Sequence, residues 1–98
     1  MLVRRSQMEI LVDILKAVAD GKQKPTHIMY RANLSWTRLK NHLSFLMGQD
    51  LLEEGRNKEG SIYMITTKGK EALGYYGKLR AELYHKRTIP TEVYVHYK

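Results

Sequence analysis

Between Ala32 and Trp36 the chain has only Asn33-Leu34-Ser35 in which to leave one helix and begin the next, and this joint constrains the fold more than any other stretch. Asparagine enters the left-handed backbone region at small cost, so Asn33 ends a helix. Ser35 offers its hydroxyl to the open N–H groups at the start of the following one. Upstream, Pro25 suits a first helical turn, and Ile28, Met29 and Ala32 recur at helical spacing over residues 26–32, with His27, Tyr30 and Arg31 pointing elsewhere. Downstream, a helix is predicted over residues 36 to about 49. Leu39, Leu43 and Leu46 form its inward stripe, Thr37, Arg38 and Asn41 its outward side, and Lys40 and Ser44 its margins. Two short helices joined this closely make a helix-turn-helix.

The flanking sequence supplies the rest of one domain. Ser6 and Glu9 have the spacing of a capping box. From Met8 to Ala19 the polar positions Glu9, Asp13, Lys16 and Asp20 trace a single stripe, which leaves Leu11, Ile14, Leu15 and Val18 to the core. Gly21 terminates this helix. Beyond the helix-turn-helix, residues 51–54 and 62–65 read as two strands around a polar, flexible loop with Gly55 and Gly60 near its ends. Thr67 caps a fourth helix reaching about His85, with Leu73, Tyr76, Leu79 and Leu83 on one side and weakened by Gly74 and Gly77. Pro90 stops helical continuation, and Thr91 to Tyr97 alternate as a short strand would. The predicted class is therefore α+β, mainly α: a winged helix-turn-helix with a two-stranded wing and a C-terminal helix. Residues 1–87 are expected to form the domain with its C-terminal helix, and residues 88–98 a tail.

Composition limits the functions open to such a domain. With 98 residues there is room for one modest core. No apolar stretch approaches the roughly 20 residues that cross a bilayer, and the N-terminus lacks a signal-peptide core, so a cytoplasmic, nucleoid-associated protein is expected. The absence of cysteine removes disulfides, thiolate chemistry and cysteine-based zinc sites. His27, His42, His85 and His96 have no ligand-like spacing, no glycine-rich phosphate loop follows a strand, and no carboxylate pair stands on an apolar face. Neither an enzyme nor a metal, cofactor or small-molecule site is expected. The net charge of +7 instead points to a polyanion. Residues 1–47 carry eight Lys/Arg against three Asp/Glu and residues 67–98 seven against three, whereas residues 48–66 carry two against four, so the basic excess lies outside the wing.

The start of the second helix of such a motif reaches base edges in the major groove. Arginine pairs bidentately with guanine and asparagine with adenine, which assigns base contacts to Thr37, Arg38 and Asn41 and a phosphate contact to Lys40, with Ser35 at the helix start. The alternative for this face is a merely solvated one. Trp36 either stacks on the nucleic acid or packs against the preceding helix, and its place beside the buried stripe favours packing. Lys24, His27 and Arg31 lie where the preceding helix crosses the phosphate backbone. Arg56 and Lys58 sit at the wing tip among Glu53, Glu54 and Glu59, and Arg4 and Arg5 lie on an N-terminal arm. Five of the seven tyrosines, Tyr75, Tyr76, Tyr84, Tyr94 and Tyr97, fall in the last quarter of the chain, as suits a subunit interface or a tail folded on its own domain.

The run His27-Ile28-Met29-Tyr30-Arg31-Ala32-Asn33-Leu34-Ser35, with Tyr63-Met64-Ile65-Thr66-Thr67-Lys68-Gly69, resembles small archaeal winged-helix DNA-binding proteins of the chromatin-associated, Sulfolobus ten-kilodalton type. The resemblance covers about residues 8–75. It implies an archaeal DNA binder that dimerises through its C-terminal helix as an antiparallel coiled coil. After about Gly74 the paired glycines, Pro90 and the alternating tail depart from that pattern. The expected function is transcription regulation by a homodimer on duplex DNA, with Leu73, Tyr76, Leu79, Leu83 and Tyr84 at its interface. The competing expectations are a non-sequence-specific architectural protein, a protein-interaction module, or a binder of structured RNA.

Overall fold

The computed structural model describes residues 5–83. They form α1 (Gln7–Ala19), α2 (Pro25–Ala32), α3 (Trp36–Gly48), β1 (Leu52–Asn57), β2 (Gly60–Ile65) and α4 (Thr67–Leu83). Tyr84, the end of the predicted fourth helix near His85, Arg4 and the predicted strand in the tail lie outside the described residues.

Local chemistry sets the helix ends. Ser6 Oγ accepts from the Glu9 N–H at 3.0 Å while Glu9 Oε1 accepts from the Ser6 N–H at 2.7 Å, which completes the capping box. α1, α2 and α3 all finish through the same wrapped turn. Gly21, Asn33 and Asp50 take positive φ of 95°, 57° and 62°. The next N–H then reaches back five residues, from Lys22 to Ala17 O, Leu34 to Met29 O and Leu51 to Leu46 O, at 2.9–3.1 Å. Asp50 in this role is a finding of the structure, since aspartate is a less usual occupant of that conformation than glycine.

The core lies where α1, α2 and α3 meet the hairpin. Ile14, Ile28, Leu39, Leu43 and Leu46 are fully buried, surrounded by Ile10, Leu15, Ala17, Val18, Ala32, Leu34, Leu52 and Tyr63. Leu11 and Met29, expected inside, are half-buried and pack on the margin of this cluster. Full burial of a leucine or isoleucine contributes about 1.5–3 kcal/mol, so the three leucines of α3 fix its rotation about its own axis.

The wing differs from its prediction. The strands are longer, antiparallel and paired from Leu52↔Ile65 to Asn57↔Gly60, so only Lys58 and Glu59 remain as the turn. The glycines that read as loop residues sit inside the ladder, and Asn57 Oδ1 closes the turn by accepting from the Glu59 N–H at 2.9 Å. The Tyr63 N–H donates to Gln23 O at 2.9 Å, tying the hairpin to the α1–α2 connection.

The cap of α4 is Thr66, not Thr67. Its Oγ1 accepts from the Gly69 N–H at 2.9 Å and donates to Asp50 O at 2.6 Å, so one hydroxyl both starts α4 and holds it to the end of α3. Gly69 is buried against this junction: a Cβ there would lie 2.3 Å from Leu51 O and 2.7 Å from Ile65 Cγ1, whereas Gly74 has open space. Gly69→Ala is therefore expected to cost about 2 kcal/mol through overpacking. Gly74→Ala is expected to stabilise by up to about 1 kcal/mol through helix propensity. Thermal melts of the two variants read these opposite signs directly.

Candidate nucleic-acid interface

α3 begins at Ser35, whose Oγ accepts from the Arg38 N–H at 3.3 Å. With Leu39, Leu43 and Leu46 turned inward, Thr37, Arg38, Lys40, Asn41 and Ser44 are all exposed along the outer side. The expected reading face is thus polar over its first turns; farther along the same side Phe45, seven residues after Arg38, is exposed as well. His42, half-buried one turn after Arg38, has its pKa lowered by burial and, secondarily, by the Arg38 guanidinium.

The other predicted site residues are arranged less simply. Lys24 forms an ion pair with Glu59 of the wing turn, and Arg31 pairs with Asp20 at the end of α1. Both charges are thus paired within the protein, and both remain partly exposed. His27 is exposed on α2 beside Arg31. Arg5 is not part of a loose arm: its guanidinium donates to Asp13 at 2.7 Å and to Asn33 O at 3.1 Å, bracing the helix-turn-helix joint. Trp36 is 47% exposed, so it is covered only in part. It edges a shallow apolar recess with Pro25, Thr26 and Met29 of α2, leaving half its ring toward solvent. Arg56 and Lys58 are exposed on the wing, on β1 and the turn respectively.

Two participants were not singled out by sequence. In the sequence Glu59 only dilutes the wing's positive charge; its role depends on a pairing across 35 positions that no local pattern reveals, and its pKa is lowered first by the hydrogen bond and charge of Lys24, then by His27. Gln23 acts through its backbone carbonyl, for which side-chain chemistry gives no signal. On the remote side, Met8, Leu11, Phe45, Leu73 and Tyr76 line an apolar groove between α1, the end of α3 and α4. The α4 stripe continues beyond it through Leu79 and Leu83, which are 58% and 54% exposed. Among the described residues, no group of histidines and carboxylates could hold a metal, and no helix is long and apolar enough to cross a membrane.

A three-helix body with a helix-turn-helix, a hairpin folded alongside it and a further helix defines the winged helix class. The chain belongs to the winged helix-turn-helix family, whose model matches residues 4–83. Two proteins of Methanocaldococcus jannaschii, MJ0290 and MJ0287, are 35% and 32% identical to it over 68 residues, 69% of this chain. This chain spans 30% of the length of the first and 66% of the second. Among solved structures, Sso10a-2, a DNA-binding protein from Sulfolobus solfataricus, superposes with a TM-score of 0.64 at 28% identity, covering 83% of this chain and 87% of that one.

The environment of His42 is directly measurable. Its imidazole should titrate below the ordinary value of 6.5 in an NMR pH series, and Arg38→Ala should move the midpoint part of the way back up. Because the unfolded chain binds this proton more readily, stability should decline as pH falls below that ordinary value.

Proposed function

We propose that this protein binds duplex DNA as a homodimer, inserting α3 in the major groove, and acts as a transcription regulator. The observation that carries the reading is the outer face of α3, where Thr37, Arg38, Lys40 and Asn41 are exposed on a helix rigidly seated by Leu39, Leu43 and Leu46. B-DNA's major groove admits one helix, and Arg38 and Asn41 carry the donor and acceptor geometry that distinguishes guanine and adenine. Lys40, Arg56, Lys58, His27, Lys24 and Arg31 then serve the phosphates, with Ser35 and Trp36 at the entry of α3. The DNA-binding activity in the printed description of Sso10a-2 supports this reading by likeness. The same assignment makes the chain a binding protein rather than an enzyme, located with the nucleoid.

Dimerisation is assigned to the C-terminal helix of a domain spanning residues 1–87. Leu73, Tyr76, Leu79 and Leu83 form its stripe, and the interface is assigned to these and to Tyr84, beyond the described residues. A lone exposed leucine is ordinary, but a run continuous with an apolar groove is the mark of a buried contact. Two copies related by a twofold axis would present two α3 helices to successive major grooves about 34 Å apart, or to more distant ones. An architectural role differs in one respect, a small ratio of specific to non-specific affinity, and is favoured by the ionic contacts that do not read bases.

Binding to a duplex should weaken by roughly three decades between 50 and 200 mM salt if about six phosphates are engaged. Arg38→Ala should relax discrimination at one base position by about 1–3 kcal/mol, while Lys40→Ala weakens all sequences alike. Fluorescence anisotropy titrations over a panel of duplexes separate the two, and sequence-blind losses from both select the architectural role. Leu79→Glu should convert the dimer to monomer in sedimentation velocity and lower DNA affinity at the same time.

A further inference from the structure

We propose that Glu59 is an internal competitor for DNA: the wing turn holds Lys24, just before α2, in an ion pair that a backbone phosphate must displace. The inference rests on the DNA-binding reading and adds a residue that lowers affinity rather than raising it.

Lys24 stands immediately before the first turn of α2, whose start has no side-chain cap and whose first residue, Pro25, has no N–H. Glu59 approaches it from the opposite side of a cleft of about 360 Å3, walled by Pro25 and Thr26 on one side and Asn57 and Ser61 on the other. The contact joins the two elements that flank α3, which are also fastened by the backbone bond from Tyr63 to Gln23. That backbone bond makes the ion pair dispensable as a structural tie.

The chemistry of the pair favours exchange. Both partners are substantially exposed, Lys24 at 42% and Glu59 at 65% of their side chains. An exposed pair of this kind is weak and screened by salt, and Glu59 can swing away by side-chain rotation because its backbone is fixed separately by the Asn57 turn. A phosphate brings a full negative charge to the same ammonium, and the freed carboxylate is left facing a polyanion. Glu59 therefore opposes engagement twice, by occupying Lys24 beforehand and by repelling phosphate afterwards. Only the first of these depends on Lys24, which gives the proposal a test.

The experiment is a double-mutant cycle in DNA affinity, with wild type, Glu59→Gln, Lys24→Ala and the double variant titrated against one duplex from 50 to 200 mM salt. All substitutions are at surface positions, and circular dichroism melts verify folding. Glu59→Gln should bind about two- to fivefold tighter at 50 mM salt, with the advantage shrinking as salt rises. In the Lys24→Ala background most of that gain should vanish. A gain retained in full without Lys24 would reduce Glu59 to a general repulsive charge and overturn the proposal, as would unchanged or weaker binding by Glu59→Gln, which would make the carboxylate neutral or a support for Lys24. If wild type and Glu59→Gln both fail to bind duplex in a salt-dependent way, the DNA reading itself falls.

Discussion

The layer formed by Ile14 of α1, Ile28 of α2 and Leu39, Leu43 and Leu46 of α3 is the constraint on which the rest of the molecule depends. These side chains are excluded from water, and α3 can bury its three leucines together only with one side turned inward. The polar residues between them have no freedom to choose where they face. Arg38 and Asn41 are presented to solvent because Leu39 and Leu43 are not, and the precision of a reading face on this helix derives from the apolar contacts behind it. Arg5 reinforces that seat from the N-terminal side by bonding both Asp13 and the Asn33 carbonyl, so the left-handed joint is held by charge as well as by the wrapped turn.

Around this seat the protein is organised as a series of ties between neighbouring elements. The Thr66 hydroxyl links the start of α4 to the end of α3, the Tyr63 N–H links the hairpin to the α1–α2 connection, and Gly69 lets α4 approach the backbone at Leu51. The ties give the wing and α4 defined positions relative to α3. In contrast, the ionic contacts at the periphery, Lys24 with Glu59 and Arg31 with Asp20, lie in solvent and contribute little to holding the fold. Their consequence is electrostatic: they moderate the positive field on α2, so the net charge of +7 overstates the charge this helix shows a polyanion.

The molecule is also asymmetric in its polarity. The outer side of α3 carries Thr37, Arg38, Lys40, Asn41 and Ser44 with Trp36 at its start, while Met8, Phe45, Tyr75, Leu79 and Leu83 expose apolar surface on α1, the end of α3 and α4. Phe45 belongs to the same helix as Arg38, two turns on, so the helix proposed to meet DNA also borders the surface proposed to meet a second subunit. A dimer contact there would be rigidly coupled to the spacing of the two reading faces, without any intervening linker.

The first three helices, the joint between α2 and α3, and the face that α3 exposes are legible from the residues alone, because they follow from interactions within a few positions of one another: the Ser6–Glu9 box, the left-handed Asn33, the Ser35 cap and the three-leucine stripe. Two local signals pointed the wrong way and only the fold corrects them. Thr67 reads as the cap of α4, but the hydroxyl that bonds both the Gly69 N–H and Asp50 O is that of Thr66; Gly55 and Gly60 read as loop residues, but strand register places them in the ladder. The fates of Lys24, Arg31 and Arg5 were decided wholly by tertiary structure, because each depends on a carboxylate brought near from another element, and a charge in a sequence carries no record of which opposite charge the packed core will set beside it.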